Sequence, residues 1–94
     1  MYATIRRYRT DHVEEATRSA SRQFVHSLKQ LPGFVSWTAV ESAAGEWVTV
    51  TVFQTKQQAE RADQLAADFV FRDGADSILG KPEVVGGEVG AHVA

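Results

Sequence analysis

Cysteine is absent from the 94 residues. That excludes disulfides, thiolate nucleophiles and cysteine metal sites together, and it fits a reducing compartment such as the cytoplasm. A basic excess is also missing: 10 Lys and Arg stand against 12 Asp and Glu, a net charge of -2. A nucleic-acid partner needs a basic stripe, so none is expected, and Arg6, Arg7 and Arg9 read as a strand end near solvent. No run approaches the roughly 18 apolar residues that span a bilayer, and "MYATIRRYR" lacks the apolar centre of a signal peptide. No membrane association is expected, and a cytoplasmic location is the default. The 3 His are too scattered for metal-ligand spacing, and GxGxxG, GxSxG and P-loop patterns do not occur. No metal site is expected.

What remains is an ordinary globular mix, 44% hydrophobic and 23% charged, at a length that suits one domain over residues 1–94. "YATIRRYR" (2–9) is rich in β-branched and aromatic residues and reads as a strand. Asp11, with Glu14 three residues on, has the form of a capping box. Val13, Ala16, Ala20, Phe24, Leu28 and Leu31 then recur at helical spacing, and "LPG" stops the helix. "FVSWTAVES" (34–42) and "EWVTVTVFQ" (46–54) read as an antiparallel hairpin across "AAGE". Its expected register sets Ser42 opposite Trp47, Thr38 opposite Thr51 and Ala39 opposite Val50. Thr55, with Gln58, caps a second helix whose stripe is Ala59, Ala62, Ala66, Phe69 and Val70. "RDG" ends it at Gly74, and "ADSILG" suggests one more helical turn. "PEVVGGEVGAHVA" (82–94) reads as a last strand, with glycines that signal a bulge or a close backbone approach. The order β-α-β-β-α-β is the ferredoxin-like α+β arrangement, a four-stranded antiparallel sheet with both helices on one side.

Alternation along the strands divides the sheet into two faces. By apolarity, the helix-facing set is Ala3, Ile5, Val35, Trp37, Ala39, Val48, Val50, Val52, Val85 and Val89. The opposite set holds Tyr2, Thr4, Arg6, Tyr8, Phe34, Ser36, Thr38, Val40, Trp47, Thr49, Thr51, Phe53, Glu88 and His92. Tyr8, Phe34, Trp47 and Phe53 each bury about 150–250 Å², so that face would present roughly 600 Å² or more. A typical monomer's largest apolar patch is about 300–600 Å². The economical cover is a second copy in a two-fold homodimer, which encloses a chamber lined by threonines, Ser36 and Arg6.

The element order, "LPGF" (31–34) opening the second strand, and Phe53 ending the third just before "QTKQQA" (54–59) resemble the dimeric α/β-barrel superfamily. More narrowly, the chain resembles the antibiotic-biosynthesis-monooxygenase-like domains over nearly its whole length. The resemblance implies a dimer and a small aromatic ligand. It also implies, for one branch, a cofactor-independent oxygenase acting on phenolic polyketides, with Phe53 in the place of a cavity aromatic. The haem-degrading branch uses a cavity Asn on the first strand and a His on the second helix. Here the first-strand counterpart is Arg6 and "KQQAERADQLAADFVFR" has no His, so no haem or other cofactor is expected.

The candidate catalytic residues are Arg6, Tyr8 and His92. Arg6 offers fixed donors to an enolate or other anionic oxygen, or else pairs with Glu88. Tyr8 or His92 would relay a proton. The candidate ligand-binding residues are Phe34, Thr38, Trp47, Thr49, Thr51 and Phe53. Trp37 is read as core, and Asp63 and Asp68 as helix solvation. Three readings stay open: a monooxygenase-like enzyme, a non-catalytic small-ligand or interaction module using the same chamber, and a bare structural dimer with no ligand.

Overall fold

The computed structural model describes residues 1–43, 45–72, 79 and 81–93. Four strands, β1 (Tyr2–Arg9), β2 (Phe34–Ser42), β3 (Glu46–Phe53) and β4 (Glu83–Glu88), form one antiparallel sheet in the order β2-β3-β1-β4. Between β1 and β2 runs one rod in three pieces: α1 (Val13–Ser19), a π-helical turn (Ala20–Phe24) and α2 (Val25–Leu28). The second helix is α3 (Lys56–Arg72). The α+β, ferredoxin-like order is the expected one. The helix stop expected at Gly74 and the turn expected over "ADSILG" lie outside the described residues, Leu79 apart, as does the side chain of Val70.

The helix stripes follow the sequence pattern. Ala16, Ala20, Phe24 and Leu28 are buried on the first rod, and Ala59, Ala62, Ala66 and Phe69 on α3. Thr55 and Gln58 form the reciprocal cap: Gln58 N–H donates to Thr55 Oγ1 at 3.2 Å, and Thr55 N–H to Gln58 Oε1 at 3.2 Å. The Asp11 cap does not form. His12 precedes the helix without a side-chain cap, and its N–H is held instead by Thr10 Oγ1 at 3.0 Å.

The two sheet faces are the reverse of the sequence expectation on β1 and β3. Thr4, Arg6, Tyr8, Trp47, Thr49, Thr51 and Phe53 are buried under the helices. Ile5 is 40% exposed and Val85, on β4, 66%, and Val48, Val50 and Val52 stand half-buried on the open side, while on β2 Trp37 and Ala39 face the helices and Val40 the open side, as expected. The physical reason is volume. The buried stripes of α1 and α3 are largely alanine, so the sheet must supply the bulk that fills the space between layers at interior density. Valines across from alanines would leave voids, whereas Trp47, Tyr8 and Phe53 close them.

The hairpin register also differs by one residue. Ser42 faces Glu46, Thr38 faces Val50 and Ala39 faces Thr49. The loop is residues 43–45, and Gly45 ends it at φ 77° with its N–H on Ser42 O at 3.2 Å. A three-residue loop closed by a left-handed glycine is a common hairpin form. An irregularity between Phe34 and Ser36 shifts β2, so Phe34 and Trp37 both turn to the helix side, opposite Phe53 and Thr51. The last strand stops at Glu88, and Val89 N–H then reaches Met1 O at 2.9 Å. The close approach expected at its glycines occurs at Gly86, where a Cβ would sit 2.9 Å from the Tyr2 hydroxyl.

Candidate functional site

A pocket opens between the sheet and its own helices. Arg6 and Tyr8 from β1, Trp37 from β2, and Trp47, Thr49 and Thr51 from β3 form its floor. Phe24, the last residue of the π-turn, closes it from the first rod, and Ala66, Phe69 and Leu79 close the remaining side. The free space inside it is ≈ 20 Å³, about enough for one water molecule. Ligand pockets are about 300–1,000 Å³, so the side chains around it stand nearly closed. A flat ring enters only by displacing side chains at the rim, of which Phe24 and Phe69 are the largest from the helices.

Strand pairing builds the floor. Arg6 lies opposite Thr49 and Tyr8 opposite Trp47, so side chains from neighbouring strands stand together. The Tyr8 and Trp47 rings are 5.5 Å apart, Trp47 and Trp37 6.5 Å, Trp37 and Phe24 6.4 Å, and Phe24 and Phe69 5.4 Å. Such spacings favour aromatic pairs in tilted or edge-on geometry. Trp47 is fixed at its polar end as well: its Nε1–H donates to Thr17 Oγ1 at 2.8 Å, and that hydroxyl donates to Val13 O at 3.1 Å.

Arg6 brings the one charge on the floor. Its guanidinium Nη2 donates to Asp63 Oδ1 from α3. The Arg6 side chain is 9% exposed and that of Asp63 45%. Glu88, the partner considered from the sequence, instead approaches the N-terminal amine at 4.0 Å. Burial pushes the Tyr8 phenol above its ordinary value, while the Arg6 charge pulls the other way and is the lesser effect. Tyr8 is therefore a neutral hydrogen-bond donor at neutral pH. Together these groups suit a flat ring carrying an oxygen: aromatic faces for stacking, a guanidinium and a phenol for the oxygen, and two threonine hydroxyls.

Of the residues singled out from the sequence, the structure brings together Arg6, Tyr8, Trp47, Thr49 and Thr51. Phe53 and Phe34 form a separate edge-on pair with ring centres 5.8 Å apart and do not line the pocket. Thr38 is exposed on the open face beside Val50, because the register places it there. His92 is exposed beyond the end of β4. The sequence reading missed Phe24, Trp37, Phe69 and Asp63 as parts of the site. A signal for Asp63 existed: it falls four residues after Ala59 and three before Ala66, on the margin of the buried stripe, where a solvating acid is out of place. Among the described residues, no group of His, Asp and Glu gathers to hold a metal.

The sequence matches no protein-family model and no curated protein. Its fold is that of the antibiotic-biosynthesis-monooxygenase-like proteins, matched over nearly the whole chain. A monooxygenase of Streptomyces coelicolor, solved with the ligand nanaomycin D, superposes with a TM-score of 0.79 at 17% identity, covering 99% of this chain and 90% of that one. SnoaB, a cofactor-independent oxygenase from Streptomyces nogalater, gives 0.73 at 16%, covering 98% and 95%. A variant of MhuD with two manganese protoporphyrin IX molecules per active site gives 0.77 at 13%, covering 100% and 99%.

Proposed function

We propose that this protein binds a flat aromatic ligand under its helices and acts on it as a cofactor-independent monooxygenase, working as a homodimer. The observation that carries the reading is the pocket: Arg6 and a neutral Tyr8 set among the rings of Trp37, Trp47, Phe24 and Phe69. Similarity of fold to a monooxygenase solved with nanaomycin D and to a cofactor-independent oxygenase supports it. In an anthrone-like substrate the electrons come from the substrate itself. One atom of dioxygen becomes a carbonyl on the ring carbon, and the other leaves as water with the two hydrogens that carbon loses. Arg6 would hold the oxygen on which enolate charge develops, and Tyr8 would donate to it or relay its proton. Thr38 and His92, outside the pocket, have no part in this scheme.

The second copy is placed on the open face, where Ile5, Val40 and Val85 are exposed, rather than on the threonine face. Four strands at ~4.8 Å spacing and ~25 Å length give a face of about 500 Å². Two such faces reach about 1,000 Å², the least that a biological interface should clear and short of the roughly 1,200–2,000 Å² of stable ones.

Oxygen uptake with anthrones and quinols tests the reading. Arg6→Ala and Tyr8→Phe are expected to cut uptake at least tenfold while the fold persists. No uptake by the wild type across such a panel, with a panel member still quenching tryptophan fluorescence, favours the second reading, a non-catalytic ligand-binding module. One observation leans towards that module: the charge of Arg6 is already taken up by Asp63.

A further inference from the structure

We infer that Asp63 sets the charge of the ligand this pocket accepts, admitting a neutral phenol or quinol and rejecting an organic anion of the same shape. The inference rests on the ligand-binding reading above. Arg6 is the one charged group among the described residues lining the pocket. A guanidinium buried there alone would be a strong trap for carboxylates, since charge-assisted and bidentate pairs are the tightest hydrogen bonds a site can offer. It is not alone. Asp63 is bonded to Nη2, and the pair is neutral as a unit.

A carboxylate ligand brought to Arg6 would stand beside the Asp63 carboxylate, two like charges in a site of lowered dielectric. A neutral hydroxyl meets no such repulsion. It finds the guanidinium of Arg6, the un-ionised phenol of Tyr8 and the hydroxyls of Thr49 and Thr51. Asp63 does not line the pocket and acts through Arg6, so it is a positioning residue. Its place on α3, with the carboxylate half in water and Arg6 almost wholly enclosed, sets this charge balance at the boundary between pocket and solvent.

The test compares 2-naphthol with 2-naphthoate, one ring system in neutral and anionic form at pH 7, by tryptophan quenching or calorimetry. Wild-type protein is expected to bind naphthol the more tightly. Asp63→Asn keeps an oxygen for Arg6 and removes the charge, so naphthoate should gain about tenfold relative to naphthol. Asp63→Glu keeps the charge and should keep the wild-type ratio. If the asparagine disturbs folding, Asp63→Ser supplies the same comparison. A packing role would weaken both ligands together and leave their ratio alone. A bound naphthol with an unchanged ratio in the uncharged variants, or a wild-type preference for naphthoate, overturns the inference and leaves the ligand-binding reading standing. Failure of the wild type to bind either compound overturns that reading, and the inference with it.

Discussion

Tyr8 is buried beside a cation, and the two influences on its phenol oppose each other, with burial the larger. Its folded-state value is thus raised above the 10.0 of an unperturbed tyrosine. The unfolded chain then loses this proton first, so stability falls with rising pH in that range. The contribution is fully present below about pH 10 and is lost as pH climbs through the folded value. Tyr8→Phe should flatten the alkaline limb of a stability-against-pH curve measured by urea unfolding; an unchanged limb would show that the phenol is not so buried. Gly33 carries a second residue-scale prediction. Its φ is 81°, and a Cβ there would fall 1.8 Å from Gln58 Oε1, the oxygen that caps α3. Gly33→Ala should cost about 1–3 kcal/mol. Adding Gln58→Ala should restore the steric part but not the backbone part, a non-additivity that a double-mutant cycle reads directly. The Thr55–Gln58 cap was legible in the sequence because both partners lie three residues apart. The Arg6–Asp63 pair, 57 residues apart, was not. Only the fold decides which acid meets a given arginine.

At the scale of elements, the first helix was legible as a stripe, but not as a rod with a π-turn. Ala16, Ala20, Phe24 and Leu28 repeat every four residues, and in a regular α-helix each such step drifts by about 40°. Three steps would carry Leu28 roughly 120° from Ala16. The wider turn over Ala20–Phe24, where Val25 N–H reaches Ala20 O five residues back, takes up the drift and keeps the four on one face. The turn also ends on Phe24, which closes the pocket, in keeping with the frequent use of π-turns at functional sites. Deleting Ser21, exposed within that turn, would leave the stripe at spacings suited to an unbroken α-helix. The variant is therefore expected to fold with equal or greater helical content by circular dichroism and an undiminished melting temperature. Collapse of the fold would show that the π-turn is needed for more than phase. The β2 irregularity near Val35 is a parallel case. An extra residue rotates Phe34 onto the helix side, and strict alternation in the sequence gives no sign of it.

For the whole molecule, the element order and the sheet were readable from periodicity, whereas the assignment of faces on β1 and β3 was not. Hydrophobicity alone favours a valine face inward. What decides is the fit between layers: alanine stripes on the helices require bulky rings from the sheet, a relation between segments far apart in the chain. The consequence is that the surface left over is aliphatic. A row of Val85, Ile5, Val50 and Thr38 crosses all four strands on the open side. Placing a charge at the middle of that row therefore separates the two faces experimentally. The proposed dimer should sediment at twice the 10.3 kDa chain mass at micromolar concentration. Val50→Asp should reduce it to one chain, because an unpaired carboxylate would be desolvated at the interface centre. The tryptophans lie behind the sheet from this substitution, so their fluorescence should be unaltered if the folded chain is intact. A wild type that sediments as a single chain would leave the valine row bare in solution and remove the homodimer from the proposed function. The pocket would survive that result, since every residue described in it comes from one chain.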